Sequence, residues 1–354
     1  MLRSMVGTLV LVPFLLACPA SGGGGNNDTE TAVDTGHDTH SPTDDVAADT
    51  ALTDVPETDE GSVADTGSDA GGATSEPNGE ACPLENRVGY FEVAHWEFYA
   101  SVAGHVTNGV VPLEILQAKE QVGDCVLMRK ENPFCDPPCG AGQLCNHDGT
   151  CLDYPENQTV GTVTVDGLLT DVTMEPSITN AYAETDVPFP MFENNSKVTL
   201  KASGGDVDAF VLHGYGVEEL AVDATILTLV KGEDLTVKWT TSEGKGNVYM
   251  RLNVDQHGNS PVTMVCDVAD TGEAVLPGSI LKILLEYGVS GFATFDIYRR
   301  TVDSTWMDDR CVELRTFSFA AGKVMVDGHV PCFSDADCPE GETCKVEINT
   351  CVGG

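Results

Sequence analysis

Of the thirteen cysteines in this chain, all but Cys18 lie beyond residue 81, and eight of them are crowded into two short runs. One run is CDPPCGAGQLCNHDGTC, with Cys135, Cys139, Cys145 and Cys151; the other is CFSDADCPEGETCKVEINTC, with Cys332, Cys338, Cys344 and Cys351. Cysteines at this density can bind zinc as thiolates, cycle electrons, or be oxidised to one another. Structural zinc sites take their ligands in hooks with about two to four residues between paired cysteines. The spacings here are C-x3-C-x5-C-x5-C and C-x5-C-x5-C-x6-C, and both runs are almost devoid of core-forming side chains, which points to covalent staples. In the chain-entropy picture a bridge closing a loop of about 15 residues contributes around 3 kcal/mol, enough to hold a fragment that has no core. Two disulfides are therefore expected inside each knob. The remaining cysteines pair by proximity along the chain as Cys82 with Cys125 and Cys266 with Cys311. Asp335, Asp337, Glu340 and Glu342 add carboxylates to the last run, but no twelve-residue EF-hand loop is present. No metal site and no cofactor are expected.

A second candidate is Asp270-Thr271-Gly272, which follows the apolar run around Val265 and Val268. It resembles the catalytic loop of aspartic peptidases, where two aspartates share one proton because adjacent like charges cannot both ionise. The resemblance implies a second aspartate. The other Asp-Thr-Gly copies, at Asp34 and Asp65, lie in a low-complexity segment that cannot hold a rigid dyad, so only a homodimer lending two copies of Asp270 would complete the chemistry. G-x-S-x-G, H-E-x-x-H and a phosphate-cradling glycine loop are absent, and His95, His105, His147, His213, His257 and His329 are scattered. No catalytic residue is expected. An Asp-Gly turn between strands is the simpler reading of Asp270.

Whether cysteines pair depends on the compartment, and the N-terminus bears on it. MLRSMVGTLVLVPFLLAC has one basic residue, Arg3, then an apolar run too short for a bilayer core, which reads as a cleaved signal over residues 1–17. Leu15-Leu16-Ala17-Cys18 resembles the lipobox of bacterial lipoproteins. That resemblance implies acyl chains on Cys18, a stable anchor when several are present. With Pro19 rather than Asp next, similarity to Gram-negative lipoprotein sorting favours the outer membrane. Disulfides form and persist in such a setting.

Pro19 to Ala81 contains fifteen acidic residues, no basic residue and no aromatic one. So little apolar surface cannot offset the entropy of ordering, and residues 18–81 are expected to be a long disordered tether. As a flexible coil it would span roughly 40 to 50 Å. Removing those fifteen acids and Arg3 from the total charge of −38 leaves −24 for Cys82 to Gly354. A surface of that sign repels phosphate backbones, which argues against nucleic acid as a partner.

The rest reads as all-β. Residues 82–131 look like a small β-rich domain with Asn108-Gly109 as a hairpin turn, bearing a faint resemblance to small β-sandwich repeats of secreted and surface proteins. Residues 132–155 form the first cysteine knob, 156–330 a larger domain and 331–354 the second knob. Period-two alternation in Lys197–Lys201, Leu235–Trp239, Val248–Val254 and Phe292–Tyr298 predicts about eight strands packed as an antiparallel β-sandwich, with Trp239 in its core. Ser279 to Gly288 has a capping serine, a helical apolar face and a terminal glycine, which predicts one short helix.

Cys332, Asp335, Asp337, Cys338, Pro339, Gly341, Cys344 and Cys351 together resemble the small cysteine-rich modules of myxobacterial surface lipoproteins and, more distantly, the N-terminal cysteine-rich region of the Dickkopf family. The likeness spans about twenty residues and implies an extracellular module rather than an activity. Combined, these readings predict an outer-membrane lipoprotein, anchored through acylated Cys18, whose disulfide-stabilised sandwich serves as a binding or envelope-structural module for a protein or carbohydrate ligand. A secreted hydrolase using Asp270 and a calcium-dependent adhesin are the alternatives.

Overall fold

A computed structural model of the chain describes residues 76–223, 226–255, 257 and 262–353. Cys18, Asp34, Asp65, the expected signal and nearly all of the expected tether lie outside them.

A strap, residues 76–86, leads into an antiparallel hairpin of β1 (Arg87–His95) and β2 (Ala100–Thr107). Phe91 and Val93 are buried while Tyr90 and Glu92 are half-exposed, the alternation of a strand with one dry face. Gly104 faces Phe91 across the pair, and a Cβ there would collide with the Phe91 ring. A second hairpin joins β3 (Leu116–Val122) to β4 (Cys125–Lys130) through Gly123-Asp124, with Gly123 at φ +58°. The first knob supplies β5 (Gln143–Cys145) and β6 (Cys151–Asp153), after which β7 (Asn157–Gln158) returns to β2. Next come β8 (Val163–Asp166), β9 (Val172–Met174), β10 (Tyr182–Glu184), β11 (Lys197–Ala202) and β12 (Phe210–Tyr215). The chain continues through β13 (Leu227–Leu229), β14 (Leu235–Lys238), β15 (Asn247–Asn253), β16 (Val262–Ala269) and β17 (Glu273–Leu276) to helix α1 (Gly278–Glu286). Two long strands, β18 (Thr294–Met307) and β19 (Arg310–Gly322), turn on Asp308-Asp309, with Asp308 at φ +58°. Last are β20 (Val324–Val326) and the second knob's β21 (Glu342–Lys345) and β22 (Thr350–Gly353).

Ten strands build one sheet in the order β10-β2-β1-β19-β18-β15-β16-β4-β3, with β7 beside β2. Two layers pack on one of its faces. Strands β8, β9, β11 and β12 close a core with β1, β2 and the first part of β19, around Phe91, Val198, Leu200, Leu212 and Leu314. Strands β13, β14, β17, β20 and helix α1 close a second core with β4, β15, β16 and the start of β18, around Leu127, Met250, Leu252, Leu281 and Phe295. The fold is an all-β sandwich with small disulfide-rich modules.

Between the two cores runs a buried polar seam. Arg299, Thr301 and Asp303 of β18 and Thr316 and Ser318 of β19 all lie on the covered face. They fasten the segment that crosses from one covering layer to the other. Asp303 Oδ2 accepts from the His213 amide at 2.7 Å, Thr301 Oγ1 from the Tyr215 amide at 3.0 Å, and Ser318 Oγ from the Leu220 amide at 3.1 Å. Arg299 donates to the carbonyls of Glu218 and Glu219, each at 3.1 Å, and to that of Thr240. These bonds satisfy backbone groups that no strand ladder reaches.

Several expectations need correction. Residues 82–131 and 156–330 are not separate sheets, because β1 pairs with β19 and β4 with β16. The β1–β19 pairing is parallel, as is β13–β20, while the other strand pairings are antiparallel as expected. Parallel neighbours need long connections, so local alternation cannot reveal them. The proximity pairings Cys82–Cys125 and Cys266–Cys311 are also overturned. Cys82 bonds Cys311 across 229 residues and Cys125 bonds Cys266 across 141, because the shared sheet brings distant strands together. Asn108-Gly109 is no hairpin turn; Asn108 instead exchanges hydrogen bonds with the backbone of Glu156. The helix starts after Pro277, ahead of Ser279, with the Gly278 amide bound by Asp234 Oδ1 at 2.7 Å. Strands β7 to β20 exceed the eight expected for 156–330.

Candidate functional site

The side chains that alternate with the two cores project from the opposite face of the large sheet. In register across β19, β18, β15 and β16 stand Phe319, Tyr298, Tyr249 and Asp267. Beside this row, Phe317 faces Arg300, and on its other side Asp296 faces Arg251. Trp96, at the tip of the β1–β2 hairpin, leans onto the same row, with ring centroids 5.2 Å from Phe317 and 5.4 Å from Phe319. Tyr298 is 5.2 Å from each of those phenylalanines and 6.1 Å from Tyr249. Tyr99 stacks on Trp96 at 6.0 Å, and the Trp96 indole N–H donates to Ser101 Oγ at 3.0 Å. The result is a continuous aromatic strip, with Phe317, Phe319, Tyr298 and Tyr249 on paired strands and Trp96 and Tyr99 on the hairpin loop beside them.

Arginines and carboxylates flank the strip in pairs. Arg300 lies over the Tyr249 ring at 3.8 Å and bonds Asp267 at 2.8 Å. Arg251 bonds Asp296 at 2.6 Å. Arg315 lies over Tyr90 at 4.6 Å, reaches Glu92 at 3.1 Å and pairs with Glu313. Glu313 is buried at 1 % side-chain exposure and also accepts from Arg87 at 3.3 Å and from the Cys82 amide at 2.8 Å. Four of the chain's eight arginines therefore converge on one face of a protein whose net charge is −38. With Leu84, Glu114, Leu116 and Met128 as walls, they line a cleft of about 470 Å³. Burial pushes the Tyr298 phenol up to about 12, so its hydroxyl remains a donor at neutral pH. Burial, and then Glu92, likewise raise Tyr90.

Asp270 lies elsewhere, at the edge of the polar seam. Its Oδ1 accepts from the Trp239 indole at 2.6 Å, and its Oδ2 accepts from Arg299 Nε at 2.8 Å and from the Ser242 amide at 3.3 Å. Both oxygens are thus engaged in holding Trp239 and Arg299 in place, and the Asp-Thr-Gly segment is the turn between β16 and β17. Trp239, 5 % exposed, packs in the second core as expected.

In the knobs, Cys135 bonds Cys145, Cys139 bonds Cys151, Cys332 bonds Cys344 and Cys338 bonds Cys351. Each knob thus joins first to third and second to fourth cysteine, around a hairpin that sets the third opposite the fourth. Among the described residues, two trios of metal-ligating side chains come close enough to share an ion, Cys135/Cys139/Cys145 and Cys332/Cys338/Cys344. All six of these sulfurs are in disulfides, which leaves them no thiolate to offer. Asp337 Oδ2 accepts from the amides of Phe333 and Ser334, both at 2.9 Å, bonds that hold its carboxyl below the usual range. Asp335 Oδ1 accepts from the Cys344 amide at 2.8 Å. The two aspartates thus shape the loop.

Among the described residues the histidines do not converge on a shared metal-binding site either. His95 is buried against Phe192, with centroids 3.7 Å apart, and its Nε2 accepts from the Met191 amide at 2.8 Å. His147 Nε2 lies 2.9 Å from the Pro112 carbonyl, and His329 Nε2 lies 2.8 Å from that of Gly291.

Period-two alternation marks the buried half of each strand. The other half carries the signal for this face: Tyr249-x-Arg251, Asp296-x-Tyr298-x-Arg300 and Glu313-x-Arg315-x-Phe317-x-Phe319 alternate aromatic rings with arginines and carboxylates at period two, which puts them together on one side of the sheet.

No family model matches the chain, and no curated protein does. Solved structures similar to it include a two-domain fibronectin type III segment of chicken tenascin, at 11 % identity and TM-score 0.17, covering 58 % of this chain and 97 % of that one. The FN1–FN3 domains of chicken CNTN1 are 8 % identical at TM-score 0.17, covering 64 % of this chain and 76 % of that one. Likeness at that level adds nothing to the fold described above.

Proposed function

We propose that this chain is an extracytoplasmic lipoprotein, anchored in the outer membrane by acyl chains on Cys18, that presents the open face of its large sheet as a binding surface. The oxidised state carries the reading: the twelve cysteines beyond residue 81 form six disulfides, chemistry that persists outside reducing compartments. Among the described residues no helix is long and apolar enough to cross a membrane; what supports anchoring through Cys18 is the lipobox-like Leu15-Leu16-Ala17-Cys18. Tyr, Trp and Arg concentrated in one cleft favour binding over a purely structural role, since these residue types dominate recognition surfaces. The hydrogen bonds occupying Asp270 weigh against the aspartic-peptidase alternative, and those occupying Asp335 and Asp337 weigh against calcium-dependent adhesion. Fractionation of cells expressing the chain and its Cys18→Ser variant tests the anchor. The variant is expected in the soluble fraction; retention in membranes at the wild-type level would contradict anchoring through Cys18.

A further inference from the structure

The cleft's chemistry narrows its ligand, and the argument rests on the binding role proposed above: we infer that the open face binds an uncharged oligosaccharide, with a sugar ring against the aromatic strip and its hydroxyls on the arginine–carboxylate pairs.

Charge matching comes first. Each cleft arginine already has a carboxylate partner: Arg300 with Asp267, Arg251 with Asp296, and Arg315 and Arg87 with Glu313. A phosphate, sulfate or uronate would have to break these pairs or face their carboxylates, and a cation would meet the guanidinium groups. An uncharged ligand incurs neither penalty.

Hydrogen bonding comes second. A guanidinium has five N–H donors in a fixed fork and a carboxylate about four acceptor positions, so each ion pair leaves donors and acceptors side by side. Arg251, 52 % exposed against 21 % for Asp296, keeps that capacity open to the cleft. Sugar hydroxyls both donate and accept, and adjacent hydroxyls match an adjacent donor and acceptor. Tyr298 adds a phenol that stays protonated at neutral pH.

The aromatic strip comes third. A pyranose has an apolar C–H face and polar edges, and Trp96, Tyr249 and Tyr298 are each half-buried on the strip with the ion pairs beside them. A cleft of about 470 Å³ falls within the roughly 300–1,000 Å³ typical of small-ligand sites. Because Tyr249 and Tyr298 sit on paired strands and Trp96 packs against Phe317 and Phe319, little ordering is needed on binding.

The test uses the full chain in detergent micelles against immobilised uncharged hexasaccharides of glucose, mannose, galactose, xylose and N-acetylglucosamine, with heparin and polygalacturonate as anionic probes and isolated cell envelopes as a ligand-blind probe. At least one uncharged hexasaccharide should bind. Tyr249→Ala and the exposed-site variant Arg251→Ala should each weaken that binding by about tenfold or more at unchanged melting temperature, and a tenfold rise in salt should alter it by less than about twofold. Binding to the anionic probes alone, or sugar binding that both variants leave intact, would overturn the inference. Should no uncharged sugar bind while both variants abolish envelope binding, the saccharide class falls and the binding role stands. Absence of all binding would overturn both.

Discussion

Arg299 and Asp270 form a bidentate ion pair, with Nε to Oδ2 at 2.8 Å, in which the arginine side chain is 1 % and the aspartate 8 % exposed. The pair closes the polar seam between the two cores, since the same guanidinium holds the backbone carbonyls of Glu218, Glu219 and Thr240. Removing one partner of a buried pair strands the other charge, typically at a cost of about 3–5 kcal/mol. Asp270→Ala should therefore lower unfolding free energy by that order, read by guanidinium denaturation with tryptophan fluorescence. A loss under about 1 kcal/mol would show that the seam does not depend on this pair.

The Cys82–Cys311 bridge ties the strap to the large sheet, and Asn78 adds bonds to Asp303 Oδ1 and the Ser304 carbonyl, both at 2.9 Å. Replacing both cysteines with serine should cost about 2–5 kcal/mol, and the strap should become the first site of proteolysis. An unchanged melting temperature and cleavage pattern would mean that the bridge is dispensable.

His95 should make the fold acid-sensitive. Burial lowers it to about 4, against about 6.5 in an unfolded chain, so between those values the unfolded state binds more protons. Stability from this residue is fully present above about pH 6.5 and is lost as pH falls toward 4. His105 and His213, also lowered by burial, act in the same direction and remain in a His95→Gln variant. Chemical denaturation at several pH values should give a shallower slope for the variant in this window; equal slopes would contradict the assignment.

Calcium should leave the second knob unaffected, because Asp335 and Asp337 already accept from the amides of Phe333, Ser334 and Cys344. Melting temperatures with calcium and with chelator should coincide. Asp337→Ala should instead speed hydrogen exchange at the Phe333 and Ser334 amides. A calcium-dependent rise in melting temperature would reopen the adhesin reading.

Much of the fold was legible because burial imposes alternation: Lys197–Lys201, Leu235–Trp239 and Val248–Val254 were read as strands and lie wholly or largely in β11, β14 and β15. The knobs were legible because their cysteines have no partner but each other nearby. Cys82 and Cys311 were mispaired, since β1 and β19 are neighbours only in space. The polar seam resisted reading for a related reason. Arg299, next to Arg300 and three residues from Asp296, looks in sequence like one more surface charge until the crossing backbone of 213–220 is placed above it. Asp270 drew attention through its neighbours in sequence, yet its role comes from Trp239 and Arg299, neither adjacent to it in the chain.

Maturation of this chain where thiols are oxidised is tested by peptide mapping by mass spectrometry of the unreduced protein isolated from cells that express the full chain. The expected result is no free thiol among the twelve cysteines beyond residue 81, and cross-linked peptides joining Cys82 to Cys311 and Cys125 to Cys266. Free thiols at most of the twelve positions, or stoichiometric zinc, would contradict it.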